Sequence, residues 1–333
     1  MRWVKKGPAT EAGRGEWSLW GGKELLERST PLFDACAVAL GTFDGVHIGH
    51  RQIFEQAVAL ARACGWPAVA FTFDRHPAAT IAPSRRPPLL TTFQRRIALI
   101  LEAGIAHVVV VRFDEEFSRV PAEEFARRIL SRALGAKAVV VGRDFRFGSG
   151  ARGDVGLLER MASDLGYTLR VVPPVTVGGE KVSSTAIRSF VAKGDVEMAA
   201  RLLGRPYLLE GVVVHGEARG RTLGYPTANL AVSEELLVPA EGVYLTKAHD
   251  REAGLGPFPG LTAIGTRPSF GPGARSIETH LLDYQGDLYG RRLSLEFCAR
   301  LRDISAFEGA ESLVRQIEVD VAQARAFFGL GAV

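Results

Sequence analysis

Two histidines, His47 and His50, close the stretch Ala39-Leu40-Gly41-Thr42-Phe43-Asp44-Gly45-Val46-His47-Ile48-Gly49-His50. Imidazoles at this spacing can ligate a metal, donate hydrogen bonds to a phosphate, or fill space. An apolar run ends at Leu40, Gly41 and Gly45 allow tight turns, and helical spacing takes over near Gly49 and His50. The two rings then face one point near a helix N-terminus, where unpaired backbone N–H groups and the helix dipole favour an anion. Zinc needs a third and usually a fourth ligand, and neither an HExxH pattern nor a nearby Cys/His cluster supplies one. On the pair alone the three uses stand level, and Asp44, in the same turn, reads equally as a turn residue or as part of a site.

A second constellation is Val182-Ser183-Ser184-Thr185-Ala186-Ile187-Arg188. One hydroxyl suffices to cap a helix. Three hydroxyls followed by an arginine one turn later also make a cradle for polyphosphate, combining neutral donors, helix amides and a permanent cation. Further on, Gly216-Glu217-Ala218-Arg219-Gly220-Arg221-Thr222-Leu223-Gly224-Tyr225-Pro226-Thr227-Ala228-Asn229 is glycine-rich and basic. It lacks the GxxxxGK[ST] pattern of a P-loop, and its glycines and proline would mark a surface hairpin anywhere. On a strand, however, Thr227 and Asn229 point the same way, and a hydroxyl and an amide carbonyl are hard oxygen donors suited to Mg²⁺.

Together, GTFDGVHIGH and SSTAIR resemble the HxGH nucleotidyltransferases, and in particular the FAD synthetase module of bacterial bifunctional riboflavin kinase/FAD synthetases. Phe71-Thr72-Phe73-Asp74-Arg75-His76-Pro77 and Val141-Gly142-Arg143-Asp144-Phe145-Arg146-Phe147-Gly148 fall where that family has similar segments, so the resemblance spans about Ala35 to Arg188. Thr42 stands where Asn is common, and Arg75 where Pro is common. The resemblance implies that ATP lies against Gly41, Phe43, Gly45, His47, His50, Ser184, Thr185 and Arg188, with the two histidines catalytic. The phosphate of FMN would attack the α-phosphorus and pyrophosphate would leave. His76, Asp144, Phe145 and Phe147 are implied on the flavin side, although phenylalanines are core residues by default.

The later glycine-rich stretch resembles the riboflavin kinase module of the same family, over about Tyr207 to Phe328. Ala263-Ile264-Gly265-Thr266-Arg267-Pro268-Ser269-Phe270-Gly271, Ile277-Glu278-Thr279-His280, Gly286-Asp287-Leu288-Tyr289-Gly290 and Leu301-Arg302-Asp303 follow in the family's order, with Ser269 in place of a frequent Thr. This resemblance implies ATP at Gly220, Thr222, Thr227 and Asn229, Mg²⁺ on Thr227 and Asn229, Glu278 as general base for the riboflavin 5′-hydroxyl, and Arg302 beside the flavin. A lone strand glutamate is otherwise a solvated face residue, and Arg302 is otherwise a surface ion-pair residue. The implied partners are ATP, riboflavin, FMN and FAD, with Mg²⁺ accompanying ATP and no permanently bound cofactor. Rival readings are a riboflavin kinase whose first domain adenylylates another phosphate acceptor, and a non-catalytic regulator that binds flavin or nucleic acid.

The elements needed to position these residues are visible as patterning. Ala35–Leu40, Ala68–Phe73, His107–Val111, Ala138–Val141 and Thr168–Val172 read as strands, and Gln52–Cys64, Phe93–Ala103, Ala122–Leu134 and Gly153–Leu165 as helices between them. Alternation of this kind predicts a doubly wound α/β parallel sheet, whose ligands sit beyond the carboxyl ends of the strands. After two short helices, Ser184–Val191 and Val196–Leu203, the runs Leu208–His215, Val243–Lys247, Gly260–Ile264, Ile277–Tyr284 and Arg292–Leu301 predict a small antiparallel β-barrel, followed by a C-terminal helix over Ala310–Phe328. The expected domains are 31–188 for the adenylyltransferase, 189–206 for connecting helices and 207–330 for the kinase. The first thirty residues carry little pattern.

At 333 residues, with 47% hydrophobic and 23% charged residues, the chain has the composition of a globular protein long enough for two cores. Its formal charge of +4 is spread among interleaved acids and bases, which argues against a nucleic-acid partner. Cys36, Cys64 and Cys298 form no CxxC pair, and no apolar run reaches membrane-spanning length, so a cytoplasmic location is expected.

Overall fold

The computed structural model describes residues 4–6, 15–216, 220, 223–266 and 275–331. The chain divides into two units, Met1–Ser184 and Thr185–Val333. The first runs β1 (Val4–Lys6), β2 (Glu16–Trp20), α1 (Gly22–Leu26), β3 (Cys36–Leu40), α2 (Ile48–Cys64), β4 (Ala68–Phe73), α3 (Ala78–Ile81), α4 (Phe93–Glu102) and β5 (His107–Val111). It continues through α5 (Glu115–Ser118), α6 (Ala122–Glu124), a π-helical segment Phe125–Ala133, β6 (Ala136–Gly142), α7 (Val155–Leu165), β7 (Thr168–Val172) and a hairpin of β8 (Thr176–Val177) and β9 (Glu180–Lys181).

One sheet of order β1-β2-β5-β4-β3-β6-β7 organises this unit. All its pairings are parallel except β1 with β2. Helices cover both faces, so nearly all residues of the central strands β3, β4 and β5 are buried whichever way they point, and these strands read as unbroken apolar runs. Along β3, Cys36, Val38 and Leu40 join a cluster with Phe71, Phe125 and Phe147. Ala37 and Ala39 point to the other face with Ala68 and Ala70, where their small side chains admit Phe54 and Ala57 of α2. The order of strands reverses between β3 and β6, which opens a crevice at their carboxyl ends.

Two features depart from the expected pattern. The sheet reaches back to Glu16, because β2 pairs in parallel with β5 from Glu16↔His107 to Trp20↔Val111. The stretch expected as a helix over Ala122–Leu134 winds for most of its length as a π-helix, ending with the Leu134 N–H donating to the Ile129 carbonyl at 2.9 Å. Phe125, Ala126, Ile129, Leu130 and Ala133 are buried on it, a spacing that an α-helix would satisfy as well.

The second unit contains α8 (Ser184–Lys193), which starts on the last residue of the first, then α9 (Val196–Leu203), β10 (Tyr207–Val214), β11 (Ala228–Val232), β12 (Gly242–Asp250), β13 (Leu255–Thr266), β14 (Arg275–Leu281), β15 (Arg292–Arg302) and α10 (Ala310–Phe328). The six strands close as a barrel in the order β10-β11-β14-β13-β12-β15. Its interior holds Tyr207, Leu209, Leu295 and Phe297 together with a chain of buried hydroxyls, Thr246 to Thr262 at 2.8 Å and Thr262 to Thr279 at 2.9 Å. The pair expected as connecting helices packs on this barrel. Arg300 of β15 donates to the carbonyls of Lys193 and Glu241, and its own N–H donates to Glu197 of α9.

Candidate active sites

The loop after β3 is shaped by backbone that few residues tolerate. Phe43 (φ 52°), Gly45 (φ 80°) and Val46 (φ 40°) all lie in the left-handed region. The strain is held by burial of Phe43 and Val46 and by Asp44, which is 2% exposed. Asp44 accepts from the Leu90 N–H at 3.1 Å, and from the Thr91 N–H and hydroxyl at 3.3 Å. Through these bonds it anchors the loop to the segment entering α4.

His47 is the N-cap of α2, its Nδ1 accepting from the His50 N–H at 3.2 Å. That bond leaves the ring proton on Nε2, the atom then able to donate. The His47 and His50 rings stack at 3.6 Å between centroids, and Phe43 meets His50 edge-on at 5.2 Å. Gly49 makes room for this: a Cβ there would lie 3.2 Å from Nδ1 of His47. Ser184 reaches the same loop, its hydroxyl donating to the Asp44 carbonyl at 3.0 Å. The histidine pair, a helix N-terminus and one of the predicted hydroxyls thus meet around one loop. Thr185, exposed, and Arg188, half-buried, continue α8 from Ser184.

The residues expected on the flavin side are less alike. His76 accepts from the Ala78 N–H through Nδ1 at 3.1 Å, in the loop after β4. Asp144 is exposed and paired with Lys181 of β9, which holds its carboxyl below the usual range. Phe145 lies half-buried and stacked on Phe147 at 5.6 Å, while Phe147 is 7% exposed and packs on Phe125 within the core. Sequence reasoning missed Arg96 of α4, which is buried and donates to the carbonyls of Thr42 and Phe73. An arginine near the start of a helix gives no sign in the sequence that it will turn inward.

In the barrel, register assembles the second group. Asn229 of β11 sits opposite Glu278 of β14, and Thr227, just before the strand, donates from its hydroxyl to Glu278 Oε2 over a long 3.5 Å. A Cβ on Gly216 would lie 2.3 Å from the Asn229 amide nitrogen, and one on Gly220 would lie 2.3 Å from the Tyr225 carbonyl oxygen. A side chain at position 220 would collide with the Tyr225 backbone, and one at position 216 would displace the Asn229 side chain. Thr227 also lines a cleft of about 460 Å³ with Val213, Pro226, Ala228, Thr279, Leu281, Tyr284, Gly286, Asp287, Leu288 and Tyr289. Tyr289, 42% exposed at this cleft, stacks on His215 at 3.9 Å, a pairing the sequence did not suggest. Arg302 is engaged elsewhere: Nε and Nη2 bind the carboxylate of Asp320 on α10, itself 3% exposed. Thr222 lies outside the described residues, as do residues 267–271 of the later motif, Arg267 and Ser269 among them.

Among the described residues, no group of three or more His, Cys, Asp or Glu side chains gathers as a metal ligand set, and no helix is long and apolar enough to cross a membrane. The donors around Thr227, Asn229 and Glu278 are hard oxygens, which fit a divalent cation carried by a nucleotide.

Comparison with known proteins gives two family matches, FAD synthetase over residues 30–186 and riboflavin kinase over residues 203–328. The bifunctional riboflavin kinase/FMN adenylyltransferase of Escherichia coli K12 is 36% identical, covering 89% of this chain and 94% of its own. That of Pseudomonas fluorescens is 37% identical over 90% of this chain and 96% of its own. Among solved structures, a macrolide-efflux protein from Streptococcus pneumoniae aligns with a TM-score of 0.82 at 30% identity, over 92% of this chain and 98% of that one.

Proposed function

The chain belongs to the bifunctional riboflavin kinase/FMN adenylyltransferase family, and from that premise we propose how its residues divide two successive reactions. Riboflavin and ATP give FMN and ADP; FMN and ATP then give FAD and pyrophosphate. Both steps run on ATP with a divalent cation, which we take to be Mg²⁺.

In the kinase reaction the riboflavin 5′-hydroxyl oxygen attacks the γ-phosphorus, ADP leaves, and Glu278 accepts the hydroxyl proton. The observation that supports this is the register of β11 and β14, which sets Asn229 opposite Glu278 with Thr227 beside it. Thr227 and Asn229 would hold the cation, whose chemistry is to neutralise phosphate charge. Gly216 and Gly220 keep the neighbouring backbone close enough to cover it.

For adenylyl transfer the reading rests on the stacked His47–His50 pair at the start of α2, with Ser184 bound to the same loop. A phosphate oxygen of FMN attacks the α-phosphorus of the second ATP and pyrophosphate leaves. This needs alignment and charge neutralisation but no covalent nucleophile. His47 can donate from Nε2 because its Nδ1 is occupied, and the α2 N-terminus adds backbone donors for phosphate oxygens. Thr185 and Arg188, which follow Ser184 in the chain, are proposed as a phosphate-binding hydroxyl and cation. His76, Asp144, Phe145 and Phe147 would line the flavin side, the last acting through packing.

The test is to incubate the purified protein with riboflavin, ATP and Mg²⁺ and to separate the flavins chromatographically. FMN should appear first and FAD follow; a protein that forms neither, with flavin oxidised or reduced, would refute the reading.

A further inference from the structure

We infer that Arg96 is a positioning residue for adenylyl transfer: its buried guanidinium sets the loop carrying His47 and His50 against the loop carrying His76. The inference rests on the first unit being the adenylyltransferase. Arginine is rarely buried without dedicated partners, and Arg96 is 4% exposed. Its Nη1 donates to the Thr42 carbonyl at 3.3 Å, and Nη2 donates to the carbonyls of Phe73 and Asp74. Thr42 follows β3 and Phe73 ends β4, so one cation joins the carboxyl ends of adjacent strands at the edge where both histidine-bearing loops begin.

Two carboxylates complete the arrangement. Burial lowers the proton affinity of Arg96, and the charges of Asp44 and Asp74 act against that loss. Each carboxylate also fastens another segment. Asp44 holds the N–H groups of Leu90 and Thr91 ahead of α4, and Asp74 holds the Phe113 N–H beyond β5 at 2.9 Å. The loop after β3 therefore fixes the entry to α4 through Asp44, and α4 fixes that loop through Arg96. A planar fork spanning several carbonyls sets distances between them, which a point charge does not.

Full-length parent, Arg96→Lys and Arg96→Met are compared for FAD formation from FMN and ATP, for FMN formation from riboflavin and ATP, and for unfolding by circular dichroism. Lysine keeps the charge yet cannot span the carbonyls. The expected result is an Arg96→Lys protein that unfolds cooperatively and phosphorylates riboflavin at the parent rate. Its kcat for FAD formation should fall on the order of 10²-fold, with KM for FMN and ATP near the parent's. A parent-like kcat in Arg96→Lys overturns the inference, as does a loss confined to KM or one that only tracks the unfolded fraction. Arg96→Met must be at least as impaired when folded; should it not fold, the lysine variant decides alone. A parent that makes FMN but no FAD refutes the adenylyltransferase reading itself, a result separate from any difference among the variants.

Discussion

Asp44 and His50 belong to one loop, yet their removal is expected to fail in different ways. Asp44 has its oxygens committed to the N–H groups of Leu90 and Thr91, all buried. Asp44→Ala strands those donors, at about 1–3 kcal/mol for each one left unsatisfied, and urea unfolding should register the loss alongside that of FAD formation. His50 is half-buried at the face of the proposed phosphate site, stacked on His47. His50→Ala should leave unfolding close to the parent's while lowering kcat for FAD formation by about 10²–10³-fold, the usual effect of deleting one donor to a developing charge. Riboflavin phosphorylation should not change in that variant. Equal effects of the two substitutions on stability would contradict the division of labour within this loop.

At the level of elements, α10 is fastened to the barrel by unequal ion pairs. Asp320 is buried and receives Nε and Nη2 of Arg302 as well as Gln316, whereas Asp283, the partner of Arg325, is 57% exposed. Asp320→Ala should therefore destabilise the protein by about 3 kcal/mol, and Asp283→Ala by less than about 1 kcal/mol, both read from urea unfolding. A third pair carries a pH signature. Asp250 of β12 is bound by Arg291 and by the Ala253 N–H, and the Arg291 guanidinium is the main reason its carboxyl titrates below the ordinary 3.8. Its contribution is complete above the unfolded-state value and disappears as pH falls through the lowered folded value. Acid unfolding of Asp250→Asn should accordingly show a shallower pH dependence below about pH 4 than the parent; an unchanged slope would refute the linkage. Elements with both faces buried were legible as sequence: the short apolar runs Ala35–Leu40 and His107–Val111 read as strands, and Cys36–Leu40 and His107–Val111 are strands of the covered sheet. Glu16–Trp20 was not, because it is only partly buried apart from Trp20 and follows a glycine-rich stretch. The histidine pair announced its helix start through residue type, but Asn229 meets Glu278 only through strand register, which no local pattern encodes. Arg96 was invisible for a related reason: its partners are backbone carbonyls, and these have no residue type.

For the whole molecule, the residues proposed for the two reactions lie on separate stretches of chain. His47, His50 and Ser184 fall in the unit ending at Ser184, and Thr227, Asn229 and Glu278 fall in the barrel. No side chain is shared between these two sets, so each should fail alone. Asn229→Ala removes an amide from the proposed cation site and should stop FMN formation, yet leave added FMN to be adenylylated. The double variant His47→Ala with His50→Ala should do the reverse, accumulating FMN from riboflavin. FMN is the product of one reaction and the substrate of the other, so a mixture of the two variants tests the division directly. Supplied with riboflavin and ATP, the mixture should form FAD after a lag that shortens as the kinase-competent variant is increased, because FMN must build up in solution first. Chromatography of timed samples reads both the lag and the transient FMN. If either folded variant has lost both activities, or if the mixture accumulates FMN without ever making FAD, the two reactions depend on one another in a way that separate residue sets do not explain.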